Sequence, residues 1–407
     1  MTGIKIDHFE GMNNILVKEK QSLSMPSMIL NANVDIDGSL QKRTGHELIV
    51  DLPNAHSLWT NGKGVILCAA LGVIYLLENK TPVRLADTGQ PDAPLSYLEI
   101  DNKIYISNKH WTGMVDPAQR VMKPWGEPIP AAPILVPASG GLPPGDYRIC
   151  ITTMSEYGRT SGNSPLSSMS LTETGGFEIV NLPARASVWV TDPNGAVMLY
   201  AGTGPIITEL PRTQESLPTM WGSPPAPMRH MCWAFGRVWG IRGNRVIYSE
   251  PYQPELFRLG TAFFDMGEEG LMTAKGVNGM FIGCLSKTIY YAGCNPAEMI
   301  EVPAGPGVVP GTLCYADDLG ELGRDVPIWL ARDGVYAGLA DGRVINILKD
   351  RLQIDPQQLE GASVYRVKDG RRQMLFSMKH NMSKPGSHEV GFGDQASCEV
   401  VRKGAVI

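Results

Sequence analysis

Apolar and polar positions alternate most clearly at residues 229–251, where three short runs are separated by glycine turns. Met231, Trp233 and Phe235 alternate along the first run, Gly236-Arg237 reads as a turn, and Val238, Trp239 and Ile241 form the second run. Gly243-Asn244 then leads into Val246, Ile247 and Tyr248. Alternation with period two predicts half-buried strands, and residues that tolerate positive φ between them predict tight turns, so the stretch reads as an antiparallel meander. The same grammar recurs at 58–77 about Gly62, Gly64 and Gly72, at 97–107 about Asp101-Asn102, and at 280–292 near Ser286-Lys287. It returns at 328–347, with Asp333-Gly334 and Asp341-Gly342, and at 362–378, with Asp369-Gly370. Such units, spaced roughly 40 to 50 residues apart where nothing intervenes, predict an all-β chain folded as a β-propeller of about six blades. A stack of unrelated β-sandwiches has the same turn-rich strands, because turns alone do not specify closure.

Two proline clusters interrupt the series. The first, from Pro124 to Pro144, also holds Pro128, Pro130, Pro133, Pro137 and Pro143; the second holds Pro211, Pro218, Pro224, Pro225 and Pro227. Proline removes a ladder donor, so both clusters read as connectors. Between them Tyr147, Ile149 and Ile151 alternate with polar neighbours before a Gly/Ser-rich turn at 158–165. This segment of about 80 residues resembles a fibronectin type III-like sandwich. The expected organisation is a first part of the propeller over 1–132, an inserted sandwich over 133–222, a second part of the propeller over 223–380, and a C-terminal arm or closing strand over 381–407. An early hairpin joined at Asp37-Gly38 supplies another strand that would close a ring by pairing with the last blade.

Composition sharpens the picture. The chain has 407 residues, with 45 glycines, 31 prolines and no long window of apolar residues at helical spacing, so very little helix is expected. Its net charge of −5, from 36 basic and 41 acidic residues, gives no general argument for nucleic-acid binding. Basic residues cluster only locally, at Lys42-Arg43, at Arg237, Arg242 and Arg245, and from Arg366 to Arg372, where they line a channel or solvate turns. Seven cysteines without a close pair read as buried reduced thiols. The N-terminus lacks the pattern of a secretory signal, and the longest apolar run, 65–77, is broken by Gly72 and too short to span a bilayer, so a chain made in the cytoplasm with no membrane segment is expected.

Candidate chemistry is sparse. Phosphate-binding, dinucleotide, nucleophile-elbow and zinc-protease motifs do not occur, so no catalytic residue, cofactor or metal is expected and the chain is not read as an enzyme. Asn33, Asp35, Asp37 and Gly38 match the first half of a calcium loop, but Thr44 stands where the bidentate Glu belongs, and a solvated hairpin is the better reading. Most of the eight tryptophans sit at core-type strand positions. Trp111 and Trp125, in loops, are the candidates for protein contact.

These runs also carry a family resemblance. FEGMNN at 9–14, NVDIDGSLQKRTGH at 33–46, HSLW at 56–59 and GRVWGIRGNRVIYSEP at 236–251, in that order, resemble the tail proteins of tailed bacteriophages, of the β-propeller nozzle and packaged-DNA stabilisation type. The resemblance implies a virion structural protein of the tail, assembled as a homo-oligomeric ring, a hexamer, that extends or plugs the DNA conduit. Its implied partners are other tail or head-to-tail connector proteins and the genomic DNA passing through. The alternative from a different class is a propeller that binds or hydrolyses host-surface glycan.

Overall fold

The computed structural model describes residues 6, 8–29, 32–35, 37–42, 47–156, 158–211, 215–348, 351, 360–368, 371–379 and 395–400. Among them the only helices are three single turns of 3-10 helix, at Lys18–Lys20, Pro296–Glu298 and Gly320–Leu322. The all-β expectation therefore holds. Antiparallel sheets follow one another along the chain, opening with strands His56–Thr60, Ser96–Ile100, Arg229–Ala234, Gly270–Lys275, Cys314–Ala316 and Glu360–Lys368. Strands pair with their sequence neighbours: the first, second, fourth and fifth sheets have four strands in simple order, the third adds a fifth strand, and the last has three.

Local turn chemistry explains the meanders. Asp101 and Asn102 both take left-handed backbones, φ 50° and 61°, as do Leu71 (50°) and Gly72 (81°). Two consecutive left-handed residues supply the reverse twist that a two-residue hairpin needs. The turn expected at Gly236-Arg237 lies one residue earlier, at Phe235 (φ 52°) and Gly236 (φ 71°). Arg237 is drawn into its strand because its guanidinium donates to the Ser249 carbonyl at 2.6 Å and lies 5.5 Å from the Tyr248 ring centre. Leu285-Ser286 and Arg332-Asp333 likewise make turns one residue ahead of expectation. The Asp369-Gly370 turn lies outside the described residues, although its flanking strands pair from Lys368 and Arg371 outward.

Gly243 does begin a turn, with φ +64°, and an added Cβ there would meet no atom within 4 Å. Its requirement for glycine is therefore conformational and not steric. Gly243→Val is expected to cost about 1–3 kcal/mol, read as a lowered urea or thermal midpoint. An unchanged midpoint would show that the turn relaxes freely.

The chain divides into two compact units, one comprising 52–240 and 247–264, the other 1–51, 241–246 and 265–407. Within the first, Leu67, Ile74 and Leu76 of the 56–87 sheet pack with Ile104, Ile106 and Val115 of the 96–123 sheet. Across the other side of that second sheet, Ile100, Tyr105 and Met114 join Trp125, Met228, Val238, Ile247 and Phe257. Within the other unit, Phe281 and Tyr290 meet Trp329, and Ile328, Leu330 and Val335 meet Met374 and Phe376. Within each unit, consecutive sheets thus bury apolar faces against one another, as blade-type meanders do.

The proline-flanked segment forms two further sheets, Leu135–Leu142, Gly175–Ile179 and Ile206–Ile207 in one, and Ser167–Leu171, Gly145–Thr153, Ala186–Val190 and Leu199–Gly202 in the other. One core joins them, with Tyr147, Ile149, Ile151, Phe177 and Val188 fully buried. Leu217 and Met220 pack with Cys150, Trp189 and Met198 on the outer face of the second sheet, so the return connector belongs to the same body.

The early hairpin departs from expectation. Among the described residues Ala32–Val34 pairs with Leu40–Lys42 in a two-stranded sheet and not with the last sheet. Asp35 accepts from the Gln41 amide at 2.6 Å, and Asp37 accepts from the Ser39 backbone at 2.8 Å. These carboxylates shape a turn, and Thr44 lies outside the described residues. The FEGMNN run is structural too: buried Asn13 accepts from the Ile15 and Leu16 amides, and Met12 packs on the core of the 314–346 and 360–400 sheets. Of the expected C-terminal arm, Gln395–Val400 pairs with Arg371–Lys379 as a strand, while 381–394 and 401–407 lie outside the described residues.

Candidate functional site

The two candidate contact tryptophans are built differently. Trp125 is only 2% exposed; its indole donates to the Pro254 carbonyl at 2.9 Å, and its ring tilts onto Tyr105 with centroids 4.9 Å apart. That buries it in the core between two sheets and removes it from the contact surface, a correction to the loop-based expectation. A loop residue can be a core residue when its loop folds back over a sheet end. Trp111 is half-buried at the edge of the 56–87 and 96–123 core, held by a turn in which Asn108 accepts from the His110 and Trp111 amides, both at 2.7 Å.

The tryptophan that stands free was not among the candidates. Trp221 is 65% exposed and carries φ +62°, an unusual conformation for a bulky residue. Tyr252, 77% exposed at φ +55°, covers Gly236. The signal for Trp221 was its place in the second proline cluster, where no strand alternation asks for a core side chain.

Local basic clusters are largely internally engaged. Arg245 meets Asp265 at 2.7 Å, Arg372 meets Asp318 at 2.7 Å, and Arg366 donates to the Gln373 side chain at 2.8 Å. Asp318 is held below the usual carboxylate range, chiefly by the Gly320 backbone amide and also by Arg372. Arg242 is exposed; Arg43 lies outside the described residues.

Chemistry of other kinds finds little support in geometry. Burial pushes the Cys150 thiol up to about 12, and it is the leading cause of the rise to about 11 at Cys284 and Cys314, so all three are neutral thiols at pH 7. Five of the six described free cysteines are buried, and Cys294 is exposed against expectation. Among the described residues no group of three or more His, Cys, Asp or Glu could hold a metal ion, and no helix is long and apolar enough to cross a membrane.

Two concavities among the described residues are notable. One, of about 340 Å³, has Val302, Ala304, Val344 and Ile345 along its walls, with Tyr290 and the 2.6 Å Asp341–Arg343 ion pair beside them. The other is a narrow cleft lined by Arg159, Glu127 and Glu255, with Ser161 and Gly162 beside them. Glu255 accepts from the Tyr105 hydroxyl at 3.3 Å.

No protein-family model matches the chain, and no curated protein matches it. Solved structures that resemble it include BBS1N in complex with ARL6DN, at 9% identity over 85% of this chain and 82% of that one, TM-score 0.33. Another is Saccharomyces cerevisiae Sqt1, at 9% identity over 72% and 84%, TM-score 0.23. Kluyveromyces lactis Hsv2 follows at 8% identity over 82% and 94%, TM-score 0.27. At such scores the likenesses carry no argument about what this chain does.

Proposed function

We propose that this chain is a structural protein of a tailed-bacteriophage virion, a closed propeller of about six blades that assembles as a ring in the tail and extends or plugs the DNA conduit. The observation that carries this reading is the order of four sequence runs, 9–14, 33–46, 56–59 and 236–251, along a chain of successive meanders interrupted once by an inserted body. Three of the four runs include a structural joint: Asn13 organises the N-terminal turn, Gly38 the first hairpin, and Gly243 a later one. On this reading the inserted sandwich is of the fibronectin type III-like kind and decorates the ring. The protein is made in the host cytoplasm and resides in the virion tail, with neighbouring tail or connector proteins and the passing genome as partners.

Propeller sheets leave few free edges, so ring contacts come from loops and from the inserted body. The test is light scattering and negative-stain microscopy of the purified chain, alone and with a tail partner. Ring-shaped oligomers that join tail particles are expected. A strict monomer that never joins a particle, together with hydrolysis of host glycan, would establish the glycan-directed alternative instead.

A further inference from the structure

We infer that the inserted body is locked in one orientation on its host sheet by a three-layer backbone clamp, and does not swing on its proline connectors. The layers are the loop at 158–164 of the inserted body, the return connector at 219–224, and the host strand Gln253–Phe257. Gly162 lies so close to Gly222 that a Cβ on it would sit 1.7 Å from the Gly222 carbonyl oxygen. A Cβ on Gly222 would in turn sit 2.4 Å from a methyl of Leu256. Neither glycine has a left-handed backbone, so both are required by close approach alone.

Polar bonds hold the layers in register. Asn163, 6% exposed, accepts from the Trp221 amide at 2.6 Å and donates to the Ser164 carbonyl at 2.8 Å. Ser223 and Phe257 exchange both backbone bonds at 2.8 Å, joining the connector to the host strand. The loop is itself pinned to its own sheet, because Ser161 and Ser164 accept from the Thr153 and Ile151 amides at 2.9 and 3.0 Å. Beside the clamp, Arg159 shares the narrow cleft with Glu127 and Glu255, and Lys123 of the host lies 3.9 Å from Glu156 of the inserted body. Trp221 keeps its unfavourable left-handed backbone at the centre of this arrangement, which surrounding bonds must over-determine.

A domain hung on flexible joints would show none of these short, buried, cross-layer bonds. A fixed orientation lets one neighbour touch host and inserted body together without first ordering them. This inference stands whether or not the proposed tail function holds.

The test uses the full chain with Gly162→Val and, separately, Asn163→Ala, followed by small-angle scattering and by proteinase K cleavage within 124–134 and 215–224. Wild type is expected to give one narrow distance distribution and slow cleavage. Gly162→Val should broaden that distribution and speed cleavage about tenfold or more while the far-ultraviolet dichroism stays β-type, since cleavage tracks the open population. If Gly162→Val does not fold, Asn163→Ala, which removes a buried bond without adding bulk, is expected to speed the same cleavages. A wild type already cleaved as fast as the folded variants, or scattering and cleavage unchanged in every variant that folds, would overturn the clamp.

Discussion

Trp125→Ala is expected to destabilise the chain by about 3–5 kcal/mol, with or without an assembly partner. The indole is enclosed between the 96–123 and 229–257 sheets, tilted on Tyr105 and edge-on to Phe257 at 6.4 Å between centroids. Truncation would remove apolar burial, leave a cavity that the two facing sheets cannot readily collapse, and deprive the Pro254 carbonyl of its 2.9 Å donor. Trp125→Phe should recover most of the packing but not the donor, at a loss of about 1–2 kcal/mol. Trp111→Ala should behave differently, because that ring packs only at the edge of its cluster. Its effect on folding should be smaller, and if it anchors a neighbour its removal should weaken association by about 2 kcal/mol. Urea unfolding of the isolated chain separates the two roles. A midpoint for Trp125→Ala equal to that of wild type would show that the ring is not part of the core.

The contrast between these two tryptophans shows how far the sequence could be read. Turn residues carry their own signature: Asp101-Asn102 and Gly243 require left-handed or tightly folded backbone whatever surrounds them, so the meanders could be placed from local chemistry. The one-residue shifts at Phe235-Gly236, Leu285-Ser286 and Arg332-Asp333 arise where neighbouring side chains decide the register. Arg237, bonded to Ser249 twelve residues away, is one such case, and spacing alone does not encode that bond. Burial of loop residues is harder still. Trp125 and Trp221 both sit among prolines, yet one is enclosed and the other faces solvent, a difference set in the first case largely by Pro254 and Phe257, more than 100 residues distant, together with Tyr105. The clamp was illegible for the same reason, since Gly162 and Gly222 look like ordinary turn glycines until their backbones are seen to touch.

Acidification should weaken the fold through His230, and His230→Gln should remove that dependence. His230 is partly exposed as a residue, but its Nε2 is shut off from solvent, and its backbone amide donates to the Ser96 hydroxyl at 2.7 Å. Desolvation first, and the neighbouring Arg229 charge second, lower its pKa from 6.5 to about 4. The folded state therefore keeps a neutral ring where the unfolded chain takes up a proton. Between about pH 6.5 and pH 4 the unfolded state binds more protons, so stability is fully present above this window and declines as pH falls through it. A displacement of this size corresponds to about 2–3 kcal/mol once the residue's partial exposure is allowed for. Carboxylates titrate in the lower part of the same range, so the informative quantity is the wild-type minus His230→Gln difference in unfolding free energy at pH 7.5, 6.5, 5.5 and 4.5. That difference should shift against wild type by about 2–3 kcal/mol from the highest pH to the lowest. Because desolvation leads and the Arg229 charge is secondary, added salt should change it only slightly. A difference that stays flat across the four pH values would mean that the ring is hydrated in solution and that this part of the 229–257 sheet opens more readily than its packing implies.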